Sequence, residues 1–322
     1  LTISGSGAMN DYEYGVYPWM NYRDSIQTIV IGDQITQIGR YAFTVTACST
    51  IKFGKNVRSI DERAFLECRN LNGDLTIPDS VVEIGEGAFY QCENLNGTLT
   101  LGRSLRTIGK EAFYWCAFTG SLTIPEGVAE IADGAFSSLY QFNRDGMFNG
   151  TLTLPSTLKT IGAEAFAYTD FSGELLIPDG VTSIGASAFE ECDGFGGTLS
   201  LPDSVKTVGA SAFYRCEGFT GLKLSAGLTK IEKLSFAHMC GLQTEVVIPE
   251  GVTEIGESAF SCSYMPSICF PSTLKKIGKE AFYNCFRYLD NCTITFSDGL
   301  EVIGDEAFGF CYFKKAIVLP AS

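Results

Sequence analysis

The chain has 322 residues, of which 45% are apolar and 19% charged, a globular composition that argues against disorder. Its 23 basic and 37 acidic residues leave a net charge of −14. That sign disfavours nucleic acid and anionic membrane as partners, since both are held by clustered Lys and Arg.

The segment 1–25 opens on Leu1-Thr2-Ile3-Ser4-Gly5 and lacks the basic-then-apolar start of a signal peptide. No later run has the length of a membrane span. No membrane insertion is expected in this chain, and an export signal or surface anchor is expected outside it. Residues 1–25 carry Tyr12, Tyr14, Tyr17 and Trp19 and break the pattern that follows. They are assigned as an N-terminal cap, covering strand edges that would otherwise template aggregation.

From residue 26 to 322 one unit repeats about twelve times. Ala-Phe recurs from Ala42-Phe43 to Ala307-Phe308, with Ser235-Phe236 standing in once, at a mean period near 24 residues. A period of that length marks a solenoid, so the two-domain expectation from length gives way to a single array. Within a unit, Leu75-Thr76-Ile77 alternates apolar and polar side chains and reads as a strand with one buried face. Pro78-Asp79-Ser80 is turn chemistry, and Val81 to Gly85 (Val-x-x-Ile-Gly) is a second extended piece whose Gly allows a tight reversal. The Glu-x-Ala-Phe-x-x-Cys segment is expected to form one helical turn, with Phe and Cys on one side. A lone unit cannot bury its apolar face; stacking buries it against the next copy. Ile317-Val318-Leu319-Pro320 begins a further strand, so the array is expected to end at, or run past, the end of the chain.

The pattern Ile-Pro-x-x-Val-x-x-Ile-Gly-x-x-Ala-Phe-x-x-Cys resembles the BspA-type leucine-rich repeat of bacterial surface proteins, over nearly the whole chain. Leu1 to Met9 also looks like the segment that often precedes such arrays. Asp61, Ala132 and Glu232 stand where Gly follows Ile elsewhere, and the units of Phe136 and Phe166 lack the Cys. The resemblance implies export, display at the cell surface and adhesion to proteins or glycans, with no particular ligand.

Seven cysteines (Cys68, Cys92, Cys116, Cys192, Cys216, Cys285 and Cys311) fall three residues after the Phe. A small apolar side chain repeated at one place reads as a buried column of free thiols. Cys269 and Cys292 lie off it, and with Cys262 and Cys285 they leave a bridge or a thiolate site open. Cys269 aligns with outward strand positions and should point away from Cys262. Asp79, Glu126, Asp179, Asp203, Glu250 and Asp298 follow the strand end in unit after unit, which is what turn geometry demands rather than a catalytic pair. His238, the only histidine, falls in a column read as solvent-facing. No catalytic set, metal site or cofactor is expected.

What remains is surface. The outward strand positions, including Thr76, Thr100, Thr123, Thr153, Leu176, Ser200, Lys223, Val247 and Cys269, form a broad face of mostly short side chains. It suits a partner spanning several coils, but Thr is also simply a good strand former. Two units run long. One holds Tyr140, Phe142, Arg144 and Phe148, the other Phe286, Arg287 and Tyr288. Arg beside aromatic rings is the composition of interface anchors, so these seven are the candidate binding residues; the competing reading folds their rings back onto the solenoid.

The expected fold is an α/β, strand-rich, right-handed leucine-rich-repeat solenoid with a parallel sheet and short helical turns on the opposite side. The expected function is non-enzymatic recognition or adhesion by a secreted or surface-held monomer, with a protein or glycan as partner. The alternatives are a structural spacer and, more remotely, a carbohydrate-active enzyme.

Overall fold

The computed structural model describes residues 1–138, 147–286, 294–296 and 298–312. It divides into two compact units: Leu1–Leu158 with Tyr168–Asp170, and Lys159–Ala167 with Phe171–Ser322.

Each unit is a parallel β-solenoid. In the first, Leu75–Thr76 pairs in parallel with Leu99–Thr100, and Leu122–Thr123 with Leu152–Thr153. The second extended piece of each coil makes its own column, in which Ile60 faces Ile84 and Ile84 faces Ile108. In the second unit Ile161 faces Ile184, and Ile255 faces Ile277. Registry by whole coils puts like residues side by side, so an apolar position in one coil finds an apolar partner in the next.

The interior consists of those partners. In the first unit Phe43, Phe65, Phe89, Phe113 and Phe136 stack with centroids 5.1–5.5 Å apart. In the second, the seven rings from Phe166 to Phe308 stack at 5.2–5.7 Å. Spacing and near-parallel planes are those of favourable aromatic pairs. Trp19, from the expected cap, stacks on Phe43 at 5.3 Å and extends the column by one ring. The same segment also supplies Thr2–Ile3 and Gly7–Ala8, strands that pair with the first full coil. A second aromatic column, Phe171, Phe195 and Phe219, with centroids 6.0–6.1 Å apart, runs beside the first.

The helical turn expected around Ala-Phe does not form. The only helix among the described residues is a 3-10 turn at Met20–Ser25. In the Ala-Phe segment two residues per coil, four apart, adopt left-handed backbone: Arg63 and Glu67 at φ 53° and 55°, Ser211 and Arg215 at 56° and 58°. Amide hydrogens then alternate. Arg63, Phe65 and Glu67 donate to Glu86, Ala88 and Tyr90 of the next coil, while Ala64, Leu66 and Cys68 donate three residues back. An α-helix would turn every amide inward to its own coil. Here half of them join neighbouring coils, which offsets the roughly 1–2 kcal/mol that a left-handed L-residue costs.

The Gly after Ile has a different role from the one expected. Gly85 and Gly109 do not have positive φ. A Cβ there would lie 2.6 Å from the backbone nitrogen of Glu62 or Glu86, so the glycine lets adjacent coils approach.

Candidate functional site

The repeated cysteines and carboxylates are accounted for by the fold. Each column thiol donates to the carbonyl of the Phe one coil back: Cys68 to Phe43 at 3.0 Å, Cys92 to Phe65 at 3.2 Å, Cys216 to Phe189 at 3.0 Å. Ser263 stands in the column and its hydroxyl donates to Phe236 O in the same way. Burial pushes the Cys68, Cys92, Cys216 and Cys285 thiols well up, keeping them protonated. No disulfide joins the described cysteines, and Cys269 is exposed, pointing outward. Cys292 lies outside the described residues.

The carboxylates after the strand ends reach forward to the following coil. Asp79 accepts the Arg103 amide at 3.0 Å and Asp203 the Ala226 amide at 3.2 Å. Glu250 accepts both the amide and the hydroxyl of Ser272. They fasten turns to turns, which explains why the position repeats. Among the described residues no three His, Cys, Asp or Glu side chains could hold a metal ion.

His238 differs from expectation. It is half-buried, packs edge-on to Tyr214 at 5.3 Å, and its pKa is lowered by burial and then by the Arg215 guanidinium.

Of the seven candidate binding residues, Phe148 and Phe286 are described, and both are core. Phe148 is buried against Phe118 and Phe136. Phe286 is buried against Phe282. Neither ring is presented to a partner: each fills the flank of the solenoid where its long loop joins it. Tyr140, Phe142, Arg144, Arg287 and Tyr288 lie outside the described residues.

Among the described residues, the outward strand face of the second unit offers a concave surface to a ligand. Two depressions of about 500 and 490 Å³ lie along successive coils and share Thr198, Asp203 and Lys223. Leu176 walls the first and Val247 the second; they are 71% and 52% exposed. Leu176, Ser200 and Lys223 are register partners, with Val247 on the strand of the next coil. Asp179 and Glu245 stand at the two ends, and Lys223 makes no ion pair with any described residue.

A register shift helps to shape this trough. Phe195–Ser200 is six residues long and faces the four of Gly173–Leu176, with the irregularity between Glu174 and Leu176. Such bulges re-aim side chains and recur beside functional sites. Its sequence sign is Gly196-Gly197, where other coils place Asn, Ser or Thr before a single Gly, as in Asn72-Gly73, Ser172-Gly173 and Thr220-Gly221. Of the trough residues, the alternation of the strands marked Leu176, Ser200, Lys223 and Val247 as outward. Thr198 and Glu245 had no such mark.

Stacked parallel coils of about two dozen residues with a continuous aliphatic and aromatic interior define the leucine-rich-repeat solenoid class. The chain matches the BspA type Leucine rich repeat region (6 copies) over residues 19–143, 72–196, 140–260 and 196–314, and it belongs to that family. In fold it is similar to a leucine-rich repeat protein from Bacteroides ovatus (22% identity, 91% of this chain and 87% of that one, TM-score 0.57). It is also similar to one from Eubacterium ventriosum (21% identity, 98% and 91% of the two chains, TM-score 0.52). No curated protein matches it in sequence. Among the described residues no helix is long and apolar enough to cross a membrane.

Proposed function

We propose that this chain is a non-enzymatic recognition module of a bacterial surface protein, and that it holds a protein partner on the strand face of its second unit. The observation carrying this reading is the pair of exposed aliphatic side chains, Leu176 and Val247, set across a polar trough on a sheet that is otherwise buried on its inner side. Aliphatic side chains standing beside open polar depressions give a partner apolar area to bury together with polar groups to orient it. A protein is favoured over a glycan because, among the described residues, no aromatic ring lines either depression to stack a sugar. The carboxylates of the trough sit in the turn-fastening column or at its rim, which supports binding rather than hydrolysis. Surface display is in keeping with the family.

The long loops remain a second proposed contact through Tyr140, Phe142, Arg144, Arg287 and Tyr288. A spacer role is favoured by one observation: the Phe148 and Phe286 rings are spent on the interior.

A binding screen against immobilised matrix proteins and glycans tests these readings. Leu176→Asp with Val247→Asp should lose a protein ligand, by about 10-fold or more if the pair is a hot spot, with an unchanged melting curve. Loss confined to Arg144→Ala with Arg287→Ala would move the site to the loops. No ligand for the wild type and both variants would favour the spacer.

A further inference from the structure

The trough has a charge pattern and a spacing, and together they specify more than an unnamed protein. Three carboxylates, Asp179, Asp203 and Glu245, face one ammonium, Lys223. Asp203 belongs to both depressions and spends one carboxylate oxygen, Oδ1, on the Ala226 amide. Glu245 spends Oε1 on the Ser267 hydroxyl. Asp179 is exposed. Each therefore keeps accepting capacity toward solvent, and the net local charge is negative on a chain that is negative overall.

The spacing comes from the coils. Leu176, Ser200, Lys223 and Val247 lie on four successive strands, so the two aliphatic side chains stand about three strand spacings, or roughly 14 Å, apart. An extended peptide advances about 3.4 Å per residue with alternate side chains on one face, so positions i and i+4 also stand roughly 14 Å apart. A segment laid across the strands can thus set one aliphatic residue against Leu176 and another against Val247. Its residue i+2 then falls at mid-trough, where Asp203 is common to both halves.

Resting on the recognition reading above, we infer that the occupant is an extended segment of a partner protein with a Lys or Arg flanked, two residues away on each side, by aliphatic residues. The central cation meets Asp203, with Asp179 and Glu245 reinforcing the field from the ends. Lys223, which pairs with none of these carboxylates, repels that cation from the middle of the trough. Removing the lysine should therefore tighten binding, although it deletes a side chain from the site.

The test is selection of a random heptapeptide display library on the wild-type protein, followed by anisotropy with the enriched peptides as labelled probes. Binders should carry the aliphatic-x-basic-x-aliphatic pattern. They should weaken about 10-fold on Leu176→Asp with Val247→Asp, and about 3–10-fold on Asp203→Asn. They should tighten about 2–5-fold on Lys223→Ala, and weaken as salt rises past about 0.15 M. Melting curves of the variants certify that they are folded. If the enriched peptides depend on Leu176 and Val247 but are acidic, or weaken on Lys223→Ala, the inference fails and the recognition reading stands. If no enriched peptide depends on those two side chains, both fail.

Discussion

The outward strand positions of the first unit run Val30, Lys52, Thr76, Thr100, Thr123, Thr153, threonine throughout its last four coils, whereas those of the second run Leu176, Ser200, Lys223, Val247, Cys269, Thr295. The inward neighbours do not differ in this way: Leu75, Leu99, Leu122 and Leu152 in the first unit, Leu175, Leu199, Leu222, Val246 and Ile268 in the second, all buried. One side of each strand is therefore fixed by the need to meet its copy in the next coil. The other side is free, and the second unit places Leu176, Lys223 and Val247 there, where the last four coils of the first keep threonine. The comparison separates what makes the coil from what the coil displays.

The sharpest way to break this comparison is to remove the interior in both units. Phe89→Ala and Phe213→Ala each delete a fully buried ring stacked on both sides. Each should cost about 3–5 kcal/mol in denaturant unfolding. A cost below about 1 kcal/mol in either would mean the rings are not the common spine.

A smaller effect sharpens the same point at the thiols. Cys92 and Cys216 occupy matching places in the two units and donate to Phe65 and Phe189. Ser263 shows that a hydroxyl can take over this bond. Cys→Ser at either site should therefore cost less than Cys→Ala, which leaves the carbonyl one donor short, about 0.5–1.5 kcal/mol. The opposite order would mean that the column is held by apolar packing alone. Thiol labelling gives a companion reading: Cys269 should react first in the folded protein, the buried thiols of the column only after unfolding.

How far the sequence foretold this depends on which physical cause wrote it. The Phe spine was legible because stacking demands the same residue in each coil, and Ala42-Phe43 through Ala307-Phe308 states that demand outright. The second aromatic column was harder to see, since its place is shared by Leu71, Leu95, Phe171, Phe195, Phe219 and Leu242. The false helical turn has a clear origin: left-handed backbone is announced by Gly, as at Gly87 and Gly134, but most coils put Arg63, Glu111 or Ser211 there. Only the inter-coil amide bonds, invisible in one unit's sequence, make those residues tolerable. Phe148 and Phe286 misled because an aromatic ring beside Arg reads alike whether it faces a partner or folds inward. The trough escaped notice because charge and exposure on four coils had to be put side by side before they formed a pattern.

The smallest effect probes the turns, where the units should behave identically if the coil is separate from its display. Glu126 in the first unit accepts the Ser156 amide and hydroxyl, both at 3.0 Å. Glu250 in the second accepts the Ser272 amide and hydroxyl at 3.0 and 2.9 Å. Both carboxyls are held below their ordinary value of 4.5, first by the backbone hydrogen bond and then by the hydroxyl. A depressed folded-state pKa means that the unfolded chain binds protons first as pH falls. The stabilisation is complete above the unfolded value and is lost as pH drops below 4.5 through the folded one. Glu126→Gln and Glu250→Gln should each lower the neutral plateau by a similar, small amount and flatten the acid limb in that window. A shift at one site without the other would show that the turns, too, differ between the units, and the division between coil and display would have to be redrawn to include them.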